Sequence, residues 1–361
     1  MAEPWEDLIG TTGEERPMRL LRRKGKAFLL LPPDRNLALK GLELYAPQTN
    51  AARLAKRLLR AALLFGLYPG LEKVTIRPVL GTEFANYLAL TVGLDRQQFP
   101  DLALLAGNPQ PRGRRCVFIL FQKEGTVGAV VKAGAGQDAM RLIEQEERFL
   151  KAAPKGLRGV PQIRSGFFSE EVRALAMNYI EGTQPGYDDH PAVARLLSSW
   201  ISPTGPSPVN ELPAWRRLTE QMGSTLPAAA QEPAETKVVP VIAHGDFAPW
   251  NIKVNAGEWT LLDWERGEMN GMPLWDWLHY LVQPAVLVDK VPEVKLLERI
   301  DRLFRSELFK GYARKTGISG VERPLTLAYF YYCIYVIAQT EGTERLKKLV
   351  QAALDCWSLK A

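Results

Sequence analysis

Between residues 50 and 67 the chain reads NAARLAKRLLRAALLFGL, where Leu54, Leu58, Ala62 and Phe65 recur at helical spacing and Arg53, Lys56, Arg57 and Arg60 form a second, basic stripe. This predicts an amphipathic helix with the basic stripe as its solvated face. Upstream, AFLLLP predicts a short buried strand. From about residue 81 the texture changes to strand-like runs separated by glycine. CVFILF (116–121) and VGAVVKAG (127–134) flank QKEG, which predicts an antiparallel hairpin. GQDAMRLIEQEERFLKAAP then predicts a helix with Met140, Ile143, Phe149 and Leu150 on its buried side and Pro154 at its end. VRALAMNYIEGTQP adds a strand and a turn at Gly182.

Residues 201–240 are rich in Pro, Ser, Thr and Ala, and are expected to form an insertion with one short helix at PAWRRLTEQM and a flexible stretch at LPAAAQEPAETK. Two strand-like runs follow, VVPVIAH and WTLLDW, and beyond residue 275 the pattern is helical. The fold class expected from this order is α+β. A region of unknown role at 1–80 precedes a small antiparallel β-sheet lobe at 81–182 and a mainly helical lobe at 183–361.

The chain is 361 residues long and 46% hydrophobic, enough for a sizeable core. Its formal charge of +6 is a mild excess, unlike the dense basic footprint of a dedicated nucleic-acid binder. Cys116, Cys333 and Cys356 lie far apart without a CxxC pair, so neither a disulfide framework nor a zinc site is expected. The N-terminus carries Glu3, Glu6 and Asp7 and no apolar h-region, and the run at 325–338 is shorter than a bilayer span. A cytoplasmic location is expected.

The candidate chemistry sits in HGDFAPWN (244–251). Phosphoryl transfer from ATP to a hydroxyl is mostly positioning and charge neutralisation. It needs one carboxylate to orient the hydroxyl and take its proton, an amide and a second carboxylate to hold magnesium, and a lysine to brace the phosphates. Asp246 and Asn251 have the D-x-x-x-x-N spacing that returns an amide beside a carboxylate, with Asp246 as the base and Asn251 as a metal ligand. Asp263, twelve residues after Asn251 at the end of WTLLD, is the main magnesium ligand candidate.

HGDFAPWN, followed by LLDWE and PLWDW, resembles the aminoglycoside phosphotransferase and choline kinase superfamily, whose fold is protein-kinase-like. The resemblance covers residues 81–361. It implies that Lys132 meets the ATP phosphates and that Glu146 pairs with it, with Glu144 and Glu147 as rivals for the pairing. It implies too that the backbone of Asn178, Tyr179 and Ile180, in AMNYIEG, binds adenine. His244 becomes a loop anchor, Asp276 a support for the catalytic loop, and Glu265 either a metal helper or a loop brace. This sequence departs from the pattern before Lys132, where no G-x-G-x-x-G occurs and Gly107 and Gly113 bracket two prolines; Arg112, Arg114 and Arg115 are the nearby phosphate candidates.

The resulting expectation is an ATP- and Mg-dependent small-molecule kinase acting on an alcohol, with a sugar or sugar-containing metabolite as acceptor class. The aromatic clusters Trp275, Trp277, Tyr280 and Tyr329–Tyr332 are read as core. Two other readings compete with this one. One is a nucleotide-binding pseudokinase; the other is a membrane or nucleic-acid adaptor acting through the basic helix.

Overall fold

The computed structural model describes residues 3–107, 113–337 and 342–358. The chain divides into two compact units, one comprising Met1–Ala152 and Pro161–Glu181, the other Ala153–Val160 and Gly182–Ala361. The class is α+β, one unit built on an antiparallel sheet and the other mainly helical.

The first unit carries strands β1 (Arg16–Arg23), β2 (Lys26–Leu31), β3 (Glu72–Ile76), β4 (Leu102–Ala106), β5 (Arg114–Phe121), β6 (Val127–Ala135), β7 (Ile163–Phe168) and β8 (Val172–Met177). They form one sheet in the order β3-β1-β2-β4-β5-β6-β8-β7. The central strands read as unbroken apolar runs because both faces are covered. Leu30, Leu104, Phe118 and Val131 point into one cluster, whereas Leu29, Leu31, Ala103, Ile119 and Val130 point into the other. Register fixes this partition: Leu104 pairs with Phe118, Phe118 with Val131, and Val131 with Ala176.

The sheet runs without a break across residue 80. Strands β1, β2 and β3 all come from the first 80 residues, and β2 joins β4 through Leu29↔Leu105 and Leu30↔Leu104. Helix α1 (Glu6–Ile9), with Trp5 before it, adds Trp5, Leu8 and Ile9 to the first cluster. Helices α2 (Arg35–Gly41), α3 (Asn50–Leu64), α4 (Glu83–Thr91) and α5 (Gln137–Ala152) complete the unit.

Helix α3 forms where the sequence predicts, with the Thr49 hydroxyl accepting from the Ala52 N–H at its start. Its orientation differs from the expectation. Leu59 and Leu63 are the residues that meet the second cluster, while Leu54, Leu58 and Phe65 are exposed. Lys56, in the stripe read as solvated, turns in to Glu43 and to the Tyr45 carbonyl, at 2.9 Å each. The helix has apolar residues on two sides, and periodicity alone does not say which side docks.

The second unit holds α6 (His190–Ser199), α7 (Pro213–Met222), α8 (Ala228–Gln231), α9 (Trp275–Leu287), α10 (Glu293–Arg305), α11 (Glu307–Thr316), α12 (Glu322–Tyr331) and α13 (Thr343–Cys356). The stretch expected to be flexible instead forms α8 and a 3-10 turn at Glu232–Glu235, because Ala229, Ala230 and Pro233 are buried there. Its short strands include β9 (Ser207–Pro208), paired with β10 (Lys237–Val238), β11 (Val241–Ala243), paired with β14 (Glu268–Gly271), and the hairpin of β12 (Ile252–Asn255) and β13 (Glu258–Leu261). The crossing segment 153–160 belongs here because the Gly159 carbonyl accepts the Leu261 N–H (2.8 Å) and the Arg158 carbonyl accepts the Trp200 indole N–H (2.9 Å). Among the described residues, no helix is long and apolar enough to cross a membrane.

Candidate active site

Residues 244–251 link β11 to β12, and three buried contacts fix their path. Gly245 has φ 77°, and a Cβ there would lie 2.8 Å from the Arg266 backbone oxygen, so only glycine fits. Asp276, in the first turn of α9, accepts the N–H groups of His244 (2.6 Å) and Gly245 (3.0 Å). Burial lifts its pKa to about 6, in opposition to those two donors and the nearby His279. Behind the loop, Phe247 is fully buried between Trp200 and Tyr280, with ring centroids 5.8 Å away in each case.

His244 is fully buried, and burial pushes its pKa down to about 4. The Asp246 N–H points at Nδ1 (3.2 Å), which makes Nδ1 the acceptor and assigns the ring proton to Nε2, where it is donated to the Leu262 carbonyl (2.8 Å). His244 therefore spans the start of the loop and the end of β13.

Asp246 is held at both carboxylate oxygens. Asn251 Nδ2 donates to Oδ2 at 2.9 Å and to the Asp246 backbone carbonyl at 2.9 Å, closing the loop as the spacing predicts. His279 Nε2 lies 2.9 Å from Oδ1. On the far side of that ring, Nδ1 lies 3.1 Å from the Tyr329 hydroxyl. Burial opposes the charged form of Asp246, but the hydrogen bond and charge of His279, with the fields of Arg266 and His244, outweigh it and hold the carboxyl below its usual range. The side chain keeps 29% exposure, leaving the carboxylate reachable.

Asp263 follows β13 in the left-handed conformation (φ 68°, ψ 59°), an uncommon state for a residue with a Cβ and one that collects at functional positions. The Leu262 N–H donates to the Asn251 carbonyl (2.8 Å), tying the residue before Asp263 to Asn251. With its NH₂ committed to Asp246, Asn251 has a carbonyl oxygen to offer a cation. One carboxylate and one amide oxygen are hard donors, suited to magnesium that completes its shell with phosphate and water. Among the described residues no group of three or more His, Cys, Asp and Glu is arranged to hold a metal by itself.

In the sheet unit, Lys132 Nζ on β6 stands 2.6 Å from Glu146 Oε1 on α5, both buried. The rival acids are engaged elsewhere: Glu147 pairs with Lys151 and Arg173, and Glu144 with Arg148 and Arg173. Asn178, Tyr179 and Ile180 follow β8 at the edge of the unit, with Tyr179 packed on the second cluster. Arg114 is tied to the Glu3 carbonyl (2.8 Å) and Asp7 (3.0 Å), and Arg112 lies outside the described residues.

Sequence reasoning did not single out His279 or the Tyr329 hydroxyl as partners of the loop. The signal for His279 was present: it stands three residues after Asp276 in WDWLH, on the same side of one helix. Tyr329 carries no signal in the sequence beyond that of a core aromatic, and its place beside His279 depends on the packing of α12 on α9.

No family model matches the chain, and no curated protein matches it. Several solved structures are similar. A thermostable mutant of aminoglycoside phosphotransferase APH(4)-Ia, in a ternary complex with ADP and hygromycin B, is 14% identical with a TM-score of 0.45, covering 76% of this chain and 98% of that one. A Haemophilus somnus 129PT protein assigned as a fructosamine-3-kinase is 12% identical with a TM-score of 0.42, covering 75% and 96%. Aminoglycoside phosphotransferase APH(3'')-Id from Streptomyces rimosus ATCC10970 is 13% identical with a TM-score of 0.37, covering 61% and 88%.

Proposed function

We infer that this chain is an ATP- and magnesium-dependent phosphotransferase of the protein-kinase-like type, acting on a small-molecule alcohol of the sugar or sugar-containing class. The observation that carries the reading is the Asp246 carboxylate, ionised, partly open, and clamped at one oxygen by Asn251 and at the other by His279. A carboxylate so fixed can orient an acceptor hydroxyl and take its proton as the oxygen attacks phosphorus.

Asn251 and Asp263 would hold magnesium through their oxygens, and the ion when bound would neutralise charge on the transferring phosphate. Lys132, kept in place by Glu146, would brace the nucleotide phosphates as a point charge. The backbone of Asn178–Ile180 would receive the adenine edge. Asp276 and His244 hold the loop's backbone, so the positions of Asp246 and Asn251 are set before any substrate arrives.

The test is a screen of ATP consumption against a library of metabolite alcohols. Asp246→Asn keeps the shape and removes the base, so turnover on the identified acceptor should fall by roughly 10²-fold or more with ATP affinity nearly unchanged. Equal transfer by both proteins would remove Asp246 as base. Nucleotide binding without transfer to any alcohol would favour the pseudokinase reading.

A further inference from the structure

Helix α3 presents an apolar strip to solvent. Leu54 is 57% exposed, Leu58 63% and Phe65, at the helix end, 81%, and Leu64 and Leu67 extend the patch. At 100° per residue, Leu54, Leu58, Ala61 and Phe65 fall within about 60° of one another and run for about 16 Å along the axis. This strip lies opposite Leu59 and Leu63, which dock the helix on the sheet, so packing inside the unit does not account for it.

The flank is basic. Arg53, Arg57 and Arg60 run along one edge of the strip, and the segment Asn50–Leu64 contains no acidic residue. Glu43 pairs with both Lys56 and Arg60, and Arg57 is exposed, so positive charge remains beside the apolar strip. A second copy of the chain docked through the same strip would bring another helix without an acid to neutralise these arginines. A bilayer with anionic headgroups supplies both halves of the match. Its acyl boundary accepts the leucines and Phe65, and its phosphates meet arginines whose long stems let the guanidinium groups reach up to headgroup level.

We propose that the outward side of α3 is a docking surface for anionic phospholipid membranes, with the helix lying in the plane of the interface. The sequence pattern placed a basic stripe and an apolar stripe on one helix; the structure adds that the apolar stripe is the one left uncovered.

Full-length protein is floated with vesicles of phosphatidylcholine alone and of phosphatidylcholine with one part in three phosphatidylglycerol, at about 0.1 M salt. Partition should be at least about tenfold stronger on the anionic vesicles and should weaken as salt is raised to about 0.5 M. Leu58→Glu and Phe65→Glu should each lower it by about tenfold or more, as should Arg57→Glu on anionic vesicles. These side chains are exposed, so the thermal midpoint should stay at the wild-type value, which separates lost docking from lost fold. Equal partition on the two vesicle types, no partition up to millimolar lipid, or full retention by the Leu58 and Phe65 variants overturns the proposal. So does a solution dimer that Leu58→Glu dissociates while vesicle binding is absent, because the strip would then belong to a second copy.

Discussion

His279 Nε2 stands 2.9 Å from Asp246 Oδ1, across the carboxylate from the Asn251 contact at Oδ2. The two donors fix the plane of the carboxylate, and the Tyr329 hydroxyl at His279 Nδ1 sets which ring nitrogen faces it. The proposed base is therefore oriented from α9 and α12, elements remote in sequence from its own loop.

His279 is a positioning residue for the proposed transfer. His279→Ala should lower kcat by between about tenfold and 10²-fold, with little change in the KM for ATP. His279→Gln, whose amide can still donate to Asp246, should recover part of the loss. Unchanged kcat in His279→Ala, or no recovery in His279→Gln alongside an equal loss of stability, would reduce the residue to a core role.

The Lys132–Glu146 pair predicts strong coupling. Removing one partner takes from the other its 2.6 Å opposite charge in a buried site, which should cost up to about 3–5 kcal/mol, whereas Lys132→Met with Glu146→Leu should cost much less than the sum of the single changes. Urea unfolding of the four proteins measures this. Glu144→Gln and Glu147→Gln should couple to Lys132 more weakly, since their carboxylates face other cations. In binding assays Lys132→Met should also weaken ATP affinity; simple additivity in the unfolding cycle would refute the coupling.

Asp263 combines the carboxylate proposed to hold magnesium with an unfavourable backbone. Asp263→Ala should abolish the magnesium dependence of nucleotide binding in calorimetry. Asp263→Gly should do the same while relieving the left-handed φ, and so should be more stable than Asp263→Ala by about 1 kcal/mol. Unchanged magnesium dependence in both variants would remove Asp263 from the metal site.

The loop's two buried titrating supports pull stability in opposite directions with pH. His244 has a folded pKa of about 4 against 6.5 unfolded, so the unfolded state binds more protons and stability falls as pH drops from 6.5 to 4. Asp276 has a folded pKa of about 6 against 3.8, so the folded state binds more protons and stability rises as pH drops from 6 to 3.8. Each is worth on the order of 3 kcal/mol, and they largely cancel. Asp276→Asn should unmask the loss from His244, giving a steeper fall in unfolding free energy between pH 7 and pH 4.5 than in wild type. Parallel pH profiles for the two proteins would contradict this assignment.

The sequence by itself determined the local elements and the local half of the site. The β5–β6 hairpin, α5 and α3 follow from side-chain periodicity, and the Asp246–Asn251 contact follows from five residues of chain and a turn through Pro249, because these are short-range relations in which spacing nearly fixes geometry. The choice of Glu146 over Glu144 and Glu147 did not follow, since three acids within one turn differ only in which side of α5 meets β6. Tertiary structure also decided that the first 80 residues continue the sheet, because the β2–β4 pairing joins strands some seventy positions apart. It set His279 and Tyr329 behind Asp246 and turned α3 with its Leu54–Phe65 strip outward. A helix with two apolar sides carries two equally legible patterns, and only the surface it docks on selects the one that is buried.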